Sequence, residues 1–349
     1  ENRHPDKVEI RRRLGGNICR CTGYAKIIEA IELGRDILNH EISEECLEVI
    51  PPSTGKTIGS CVERVDARGK MTGALEYAAD MEMPRMLHIH LVRSKEVHAE
   101  ILKIDYEKAL EMPGVETVIT SEDVPGEDRF GVYYHDQPVL AKGKIRFYGE
   151  PVVAIVAETL EDAEEAEKGV EITYKKLPVV SNIQEAIECK AVLHEDHPDN
   201  IVSTTCVQKG NVEEGFKSSE IIIEKDFSTQ AVDHAYLETE AGISYCDPDG
   251  TIVVKSCDQD ITHHRVLLAK ILGMPINKVR VIMSPVGGGF GGKEDMIYQA
   301  ILAIATLKTN QPVKLVFSRE DSMIGSCKRH PVTMHYKIGL KSDGKIQAV

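Results

Sequence analysis

The chain has no apolar run long enough to cross a membrane and no excess of positive charge. None of its apolar stretches approaches the roughly 20 residues that a membrane-spanning helix needs. Its 42 Lys and Arg residues are outnumbered by 56 Asp and Glu residues, and the formal net charge is −14. This charge argues against a surface for nucleic acid or anionic lipid. Since no signal peptide opens the sequence either, we predict a cytoplasmic protein that binds neither nucleic acid nor membranes.

The chain also lacks a disulfide framework and a hydrolase motif. Its nine cysteines are odd in number and scattered through 349 residues, a pattern that indicates reduced thiols and leaves room for a metal site. The motif G-x-S-x-G is absent, and no Ser-His-Asp or Cys-His arrangement has a supporting context. These absences exclude a small secreted scaffold and the common serine and cysteine hydrolases.

The order of predicted elements indicates an α+β protein of several domains. Two helices are predicted within residues 1–42, the first with Pro5 in its first helical position. A stretch rich in Pro, Ser, Thr and Gly makes residues 43–57 a linker. Short strands and helices in mixed order predict one domain at 58–178 and another region at 179–349. The first residue is not Met, and the last residues read as a turn entering a strand, so we expect that the native polypeptide continues.

Residues 286–295, VGGGFGGKED, form the most informative segment. Its five glycines lie between a strand-like run at 278–283 and a helix-like run at 296–308. Backbone N–H groups in such a loop can approach a ligand with no Cβ in the way. Five glycines exceed what a tight turn needs, so a ligand-binding loop is the favoured interpretation.

Two nucleotide motifs nearly fit this loop. Gly287, Gly289 and Gly292 satisfy G-x-G-x-x-G, and an acidic residue, Glu320, follows the next predicted strand, as in dinucleotide-binding units. A P-loop fits less well, since Glu294 stands where Ser or Thr should be. The predicted helix would also carry acidic residues in its first turn, where they would repel a phosphate. A nicotinamide-dependent dehydrogenase stays an alternative on the residues alone.

Two further groups of residues are candidates for metal sites. Cys19 and Cys21 could supply half of an iron–sulfur site, which needs four ligands, and two ordinary thiols fit the spacing equally well. His234 and Glu238 would share one face if their segment were helical, and a structural ion pair is the favoured interpretation there. The adjacent pair at 263–264 is predicted to point apart on a helix and to pack.

Three segments in one order identify a family resemblance. They are GGNICRCTGY at 15–24, HAYLE at 234–238 and GGGFGGKE at 287–294. Together they resemble the xanthine dehydrogenase and aldehyde oxidoreductase family of molybdenum hydroxylases, along essentially the whole chain, and are closest to bacterial purine hydroxylases. The short segment RHP at 329–331 is similar too.

The resemblance implies a domain organisation and a set of cofactors. Residues 1–42 resemble the C-terminal part of the helical domain that binds a 2Fe–2S cluster. Residues 58–178 resemble the α/β hammerhead domain, and 179–349 the first part of the molybdopterin-binding region. The implied cofactors are a molybdenum–pterin cofactor and a 2Fe–2S cluster. No flavin domain separates the two regions, so FAD is expected to be absent or on a separate subunit.

The resemblance also implies roles for single residues. Cys19 and Cys21 match the second cysteine pair of the cluster domain. Gln259 matches a glutamine near the apical oxo ligand of molybdenum, although Asp258 replaces a commoner Thr beside it. In the glycine loop, the cofactor-binding match covers three consecutive positions: Gly289, Phe290 and Gly291.

The implied reaction is hydroxylation with water as the oxygen donor and electron transfer from molybdenum to the cluster. Glu294 matches a glutamate that hydrogen-bonds the purine in xanthine-type enzymes. A carboxylate suits a nitrogen heterocycle with N–H donors better than an apolar aldehyde. The catalytic base is expected beyond Val349, so this fragment alone should be inactive. The alternatives are an aldehyde oxidoreductase of the same family and a non-catalytic electron-transfer subunit.

Overall fold

The structure, a computed structural model, describes residues 2–19, 22–43 and 64–349. Cys21 and all of the predicted linker except residue 43 lie outside these residues. Among the residues that it describes, no helix has the length and apolarity needed to cross a membrane.

The described residues form ten α-helices and fifteen strands, with short 3₁₀ turns between them. The helices are α1 Lys7–Leu14, α2 Ala25–Leu38, α3 Ala67–Thr72, α4 Glu107–Leu110, α5 Leu160–Ala166, α6 Ile183–Ile187, α7 Val212–Lys217, α8 Ile261–Ile271, α9 Gln299–Thr309 and α10 Arg319–Gly325. The strands are β1 Leu87–Arg93, β2 Ala99–Asp105, β3 Val115–Ile119, β4 Arg129–Phe130, β5 Gln137–Pro138, β6 Lys144–Ile145, β7 Pro151–Ala157, β8 Glu171–Lys176, β9 Ile221–Thr229, β10 Ala241–Cys246, β11 Ile252–Ser256, β12 Val279–Met283, β13 Val313–Val316, β14 Val332–Leu340 and β15 Ile346–Ala348.

The N-terminal segment is a pair of packed helices, α1 and α2. Asp6 caps α1, and its carboxylate accepts a hydrogen bond from the backbone N of Glu9 at 2.8 Å. Placing Pro5 in the first helical position was therefore wrong, because the carboxylate of Asp6 is the cap that satisfies a free N–H of the first turn. The guanidinium of Arg35 in α2 donates to the carbonyl of Pro5 at 2.9 Å and ties the two helices together.

One seven-stranded sheet, in the order β12-β11-β10-β13-β1-β7-β3, takes strands from both sides of residue 178. Its two parts meet where β1 lies parallel to β13, with Leu87 opposite Val313. The strand β7 is buried along its whole length, as its uninterrupted apolar sequence PVVAIVA allows. The buried helix α9 packs on β10, β11 and β13. This shared sheet is the support on which the loops described below rest.

Three smaller sheets complete the architecture of the described residues, and the smallest of them pairs β4 with β5. The sheet β6-β2-β8 contributes Ala99 and Ile145 to a core shared with α5. Ala163 and Ala166 in α5 are 0% exposed, as the inward face of an amphipathic helix requires. The third sheet, β15-β14-β9, ends in the predicted hairpin, with Gly344 at a φ of 85° in the turn.

A buried carboxylate beside β7 makes the stability of this fold depend on pH. Burial raises the pKa of Glu150 to about 7, against hydrogen bonds from the backbone of Arg146 and Phe147 and the charge of Arg146. The folded state thus holds the proton more tightly than the unfolded chain does. The resulting stabilisation is complete below the unfolded pKa and is lost as the pH rises through 7.

We therefore expect the free energy of unfolding to fall by roughly 2–3 kcal/mol from pH 5 to pH 8 through this group. The variant Glu150→Gln should lose that dependence, as measured by urea denaturation at both pH values. Glu158→Gln, which changes an exposed residue just after the same strand, should keep it. An equal slope in the wild type and in Glu150→Gln would contradict the prediction.

Candidate active site at the glycine loop

The site lies at one edge of the seven-stranded sheet, where two neighbouring parallel strands end. Ser256 at the end of β11 lies opposite Met283 at the end of β12. The segments that follow the two strands therefore leave the sheet side by side. One carries Gln259 and the other is the glycine loop, so the topology brings them together, as open sheets do for ligand sites.

The glycine loop is longer than the sequence indicated. It runs from residue 284 to residue 298, because α9 begins at Gln299 and not at residue 296. Glu294 and Asp295 therefore lie in the loop, and the first turn of α9 has no acidic residue. Tyr298 and Gln299 at the start of α9 are buried. The phosphate seat that the dinucleotide and P-loop motifs require at a helix N-terminus is thus not formed by Gly287–Gly292.

Gln259 anchors the loop through its side-chain oxygen. Its Oε1 accepts hydrogen bonds from the backbone N of Gly291 and of Lys293, both at 3.1 Å. Its own backbone N donates to the carbonyl of Lys293 at 3.0 Å. Since Oε1 is held by two donors, the orientation of the amide is fixed. The Nε2 group of this exposed side chain is then a donor on the outer face of the loop.

The close approach of Gln259 explains why glycine is needed at position 289. A Cβ there would lie 2.6 Å from the Cδ of Gln259 and closer still to its Oε1. The next residue, Phe290, has a φ of 54°, a conformation that is strained for a side chain with a Cβ. Phe290 is 47% exposed. The predicted cofactor-binding residues are therefore neighbours in space.

Beneath the loop lies a buried ion pair that the sequence did not predict. The ammonium of Lys293, 2% exposed, is 2.8 Å from Oε2 of Glu238 and 4.8 Å from the ring centre of Tyr236. The same Oε2 accepts the backbone N of Gly287 at 2.7 Å. The segment at 234–238 is not helical, so the condition under which His234 and Glu238 would share a helix face is not met, and Glu238 forms its ion pair with Lys293. Glu238 instead holds the glycine loop.

Removing one partner of this pair should destabilise the protein. The variant Lys293→Met leaves the mostly buried carboxylate of Glu238 without its counter-charge, a loss that costs several kcal/mol in buried pairs. We expect a loss of about 2–3 kcal/mol in chemical denaturation, since Glu238 keeps the Gly287 bond and some contact with solvent. The double variant Glu238→Gln/Lys293→Met should recover most of the lost stability, because it leaves no unpaired charge.

The matched control is Lys270→Met, which breaks an exposed pair with Glu127 at 3.7 Å. Exposed pairs contribute at most about 1 kcal/mol. Equal losses of stability in Lys293→Met and Lys270→Met would show that the buried pair contributes no more to stability than the exposed pair does.

Glu294 presents its side chain to solvent, while its backbone is held from below. The carbonyl of Glu294 is 2.7 Å from Nε2 of His264, which is 0% exposed in α8. The prediction that His264 packs within a helix is confirmed, with His263 partly exposed beside it. Glu294 and Phe290 are both exposed residues of the loop, and Gln259, which bonds the loop backbone, is exposed as well.

Near the N-terminus, Tyr24 contacts the described residues up to Cys19. The hydroxyl of Tyr24 accepts the backbone N of Cys19 at 2.6 Å and donates to the carbonyl of Asn17 at 2.9 Å. Gly23 and Tyr24 both have positive φ angles, 62° and 66°. Cys19 itself is partly exposed.

Three family models match the chain in order. A 2Fe–2S binding domain matches residues 1–32, the a/b hammerhead domain of aldehyde oxidase and xanthine dehydrogenase matches 72–178, and a molybdopterin cofactor-binding domain matches 193–349. Fold and site thus define a chain with a 2Fe–2S binding segment and a molybdopterin-binding segment. The chain belongs to the xanthine dehydrogenase and aldehyde oxidoreductase family of molybdenum hydroxylases.

The chain matches its relatives over different shares of their own length. A probable xanthine dehydrogenase subunit from Bacillus subtilis is 38% identical over 82% of this chain and 38% of its own length. The nicotinate dehydrogenase large molybdopterin subunit of Eubacterium barkeri is 37% identical over 84% of this chain and 69% of its own length. The solved aldehyde oxidoreductase of Desulfovibrio gigas matches 99% of this chain with a TM-score of 0.92 and 29% identity, and this match spans 40% of that structure. The chain therefore spans well under half of two of these three proteins.

Proposed function

We propose that this chain is part of an oxidoreductase that hydroxylates a purine or a related nitrogen heterocycle with water as the oxygen donor. In this proposal residues 1–42 and 58–178 are the cluster and hammerhead domains, and 179–349 opens the molybdopterin region. The observation that carries the proposal is the exposed carboxylate of Glu294, which follows directly the loop backbone that Gln259 holds at Gly291 and Lys293.

The residues of the loop fit a molybdenum–pterin cofactor. The Nε2 donor of Gln259, fixed in orientation, would hydrogen-bond the bound cofactor, and Gly289 leaves room that a Cβ would fill. The N–H of Gly291 already donates to Gln259, so Gln259 supplies the donor here. When bound, the cofactor supplies oxygen transfer from water and accepts the electrons of the substrate; the protein binds, orients and polarises.

Glu294 is the group that selects the substrate. A carboxylate accepts hydrogen bonds only, and a nitrogen heterocycle offers N–H donors to it. An apolar aldehyde would instead bury the charge without a partner, which is costly. The names of two relatives, a probable xanthine dehydrogenase subunit and a nicotinate dehydrogenase subunit, support a heterocyclic substrate.

In the same proposal, Cys19 and Cys21 supply two of the four thiolates that a 2Fe–2S cluster needs. The hydrogen bond from its backbone N to the hydroxyl of Tyr24 holds Cys19, which is partly exposed, as a cluster ligand requires. The other two thiolates, and FAD if it is present, would come from polypeptide outside this sequence. The partners are accordingly a small heterocyclic substrate and further chains or segments of one enzyme in the cytoplasm.

An aldehyde oxidoreductase of the same family is the second candidate. It is favoured by the solved aldehyde oxidoreductase that matches 99% of this chain, cluster segment included. Turnover of the native enzyme with xanthine, nicotinate and benzaldehyde separates the two. We expect kcat/KM for one heterocycle to exceed that for benzaldehyde at least about tenfold. The reverse order would overturn the heterocycle proposal in favour of the aldehyde.

A further inference from the structure

Asp258 is a fully buried carboxylate directly before Gln259. Burying a charge costs much free energy unless hydrogen bonds and an opposite charge compensate for it. Its Oδ2 accepts the hydroxyl of Ser256 at 2.6 Å, and its Oδ1 accepts Nε2 of Gln299. The remaining neighbour of Oδ2 is Nδ1 of His264, at 3.4 Å.

His264 joins this carboxylate to the glycine loop. Burial lowers the pKa of His264, but the nearby carboxylate of Asp258 and the carbonyl of Glu294 outweigh it, and the pKa is raised above its ordinary value. A carbonyl oxygen can only accept a hydrogen bond, so Nε2 of His264 carries a proton and donates to the carbonyl of Glu294 at 2.7 Å. The other ring nitrogen, Nδ1, faces Oδ2 of Asp258 at 3.4 Å.

The loop backbone just before Glu294 is held as well, by the residue that follows Asp258. Gln259, the neighbour of Asp258, bonds the backbone of Gly291 and Lys293. The backbone from 291 to 294 is therefore held by two residues, Gln259 after the strand β11 and His264 in the helix α8. The Glu294 side chain leaves the backbone at the last of these fixed points.

We propose that Asp258 and His264 are positioning residues, which direct the carboxylate of Glu294 toward the substrate by holding its main-chain carbonyl. This role rests on the proposed function, in which Glu294 binds the substrate. It accounts for the buried pair without assigning it a part in the chemical step.

The test compares His264→Leu with His263→Leu in the native, cofactor-loaded enzyme. His263 directly precedes His264 in the same helix. Adjacent residues of a helix point apart, which makes His263 the matched control. One readout is hydrogen–deuterium exchange of the peptide 286–296, and the other is the split between KM and kcat for the heterocycle. We expect His264→Leu to speed exchange and to raise KM about tenfold, with kcat changed less than about threefold.

His264→Gln should restore most of the protection against exchange, because its amide keeps a donor for the carbonyl of Glu294. If His264→Leu does not fold, Asp258→Thr/His264→Leu decides, since it leaves no carboxylate buried without a partner. Exchange and KM equal to those of His263→Leu, with Glu294→Gln still raising KM, would overturn the role of the pair. An unchanged KM in Glu294→Gln would instead overturn the proposed function, with the faster exchange of His264→Leu still expected.

Discussion

Replacing Glu294 by Gln should lower kcat/KM for a nitrogen heterocycle about 10- to 100-fold in the native enzyme. Hydrogen bonds to a charged group contribute about 1.5–3 kcal/mol, and the amide replaces an acceptor-only group by one that also donates. With an aldehyde substrate the same change should leave kcat/KM equal or higher, because no charge is then buried against an apolar group. The measurement is steady-state turnover of both substrate classes by one preparation.

The control for this prediction is Glu320→Gln. Glu320 is an exposed glutamate in the first turn of α10, and the dinucleotide alternative would assign it a role in binding ribose. We expect its replacement to leave kcat/KM unchanged for both substrate classes. A loss of turnover in Glu320→Gln together with unchanged turnover in Glu294→Gln would reverse the roles of the two carboxylates.

Replacing Gly289 by Ala should reduce turnover of every substrate by about 100-fold or more. The added methyl group would lie 2.6 Å from the Cδ of Gln259, so the loop and that side chain must separate. The two bonds from Gln259 to the loop backbone would then lengthen, and the Nε2 donor would move. A displacement of about 1 Å in a positioning group can cost 10²-fold in rate.

Gly34→Ala is the matched control, because nothing lies within 4 Å of a Cβ at that position in α2. Its turnover should equal that of the wild type, with equal or slightly higher stability. Molybdenum content measured on both variants separates loss of the cofactor from misplacement of the loop. Full activity in Gly289→Ala would contradict the close approach of Gln259.

Elements with a strong local pattern were predictable from the sequence. The apolar run at 252–256 predicts a strand, and β11 has these bounds. The sequence likewise predicts a helix at 260–272, and α8 starts and ends within one residue of it. In both cases an apolar pattern is bounded by a residue that ends the element, such as Gly273 at a φ of 61° after α8. The glycine loop was likewise recognised as unusual, because its composition is local information.

Contacts between distant segments were not predictable in this way. Lys293 stands at the lysine position of the P-loop motif, but its partner in the structure, Glu238, lies 55 residues earlier in the chain. The loop extends to residue 298, since the start of α9 is buried against the sheet and only tertiary packing sets that boundary. The sheet that joins β1 to β13 crosses the predicted boundary near 178, which a pattern of short strands does not reveal.

The roles of Gln259 and Glu294 show the same division. Their order along the chain supported a family resemblance, whereas the fixed orientation of the Gln259 amide follows only from its two bonds to the loop. The contact between Asp258 and His264 could not be predicted either, because it depends on how α8 packs His264 beneath the glycine loop. The identities of these residues therefore indicated the class of cofactor, and the structure shows the hydrogen bonds that hold the loop in place.

The most direct test of the central claim is the metal content of the native protein that contains this chain. Molybdenum and iron measured by elemental analysis should both be present, with about one molybdenum atom per chain. Selenium measured in the same sample shows whether a selenido ligand accompanies the metal. Iron without molybdenum would leave an electron-transfer subunit, and the absence of both metals would contradict the assignment of the glycine loop to a molybdenum cofactor.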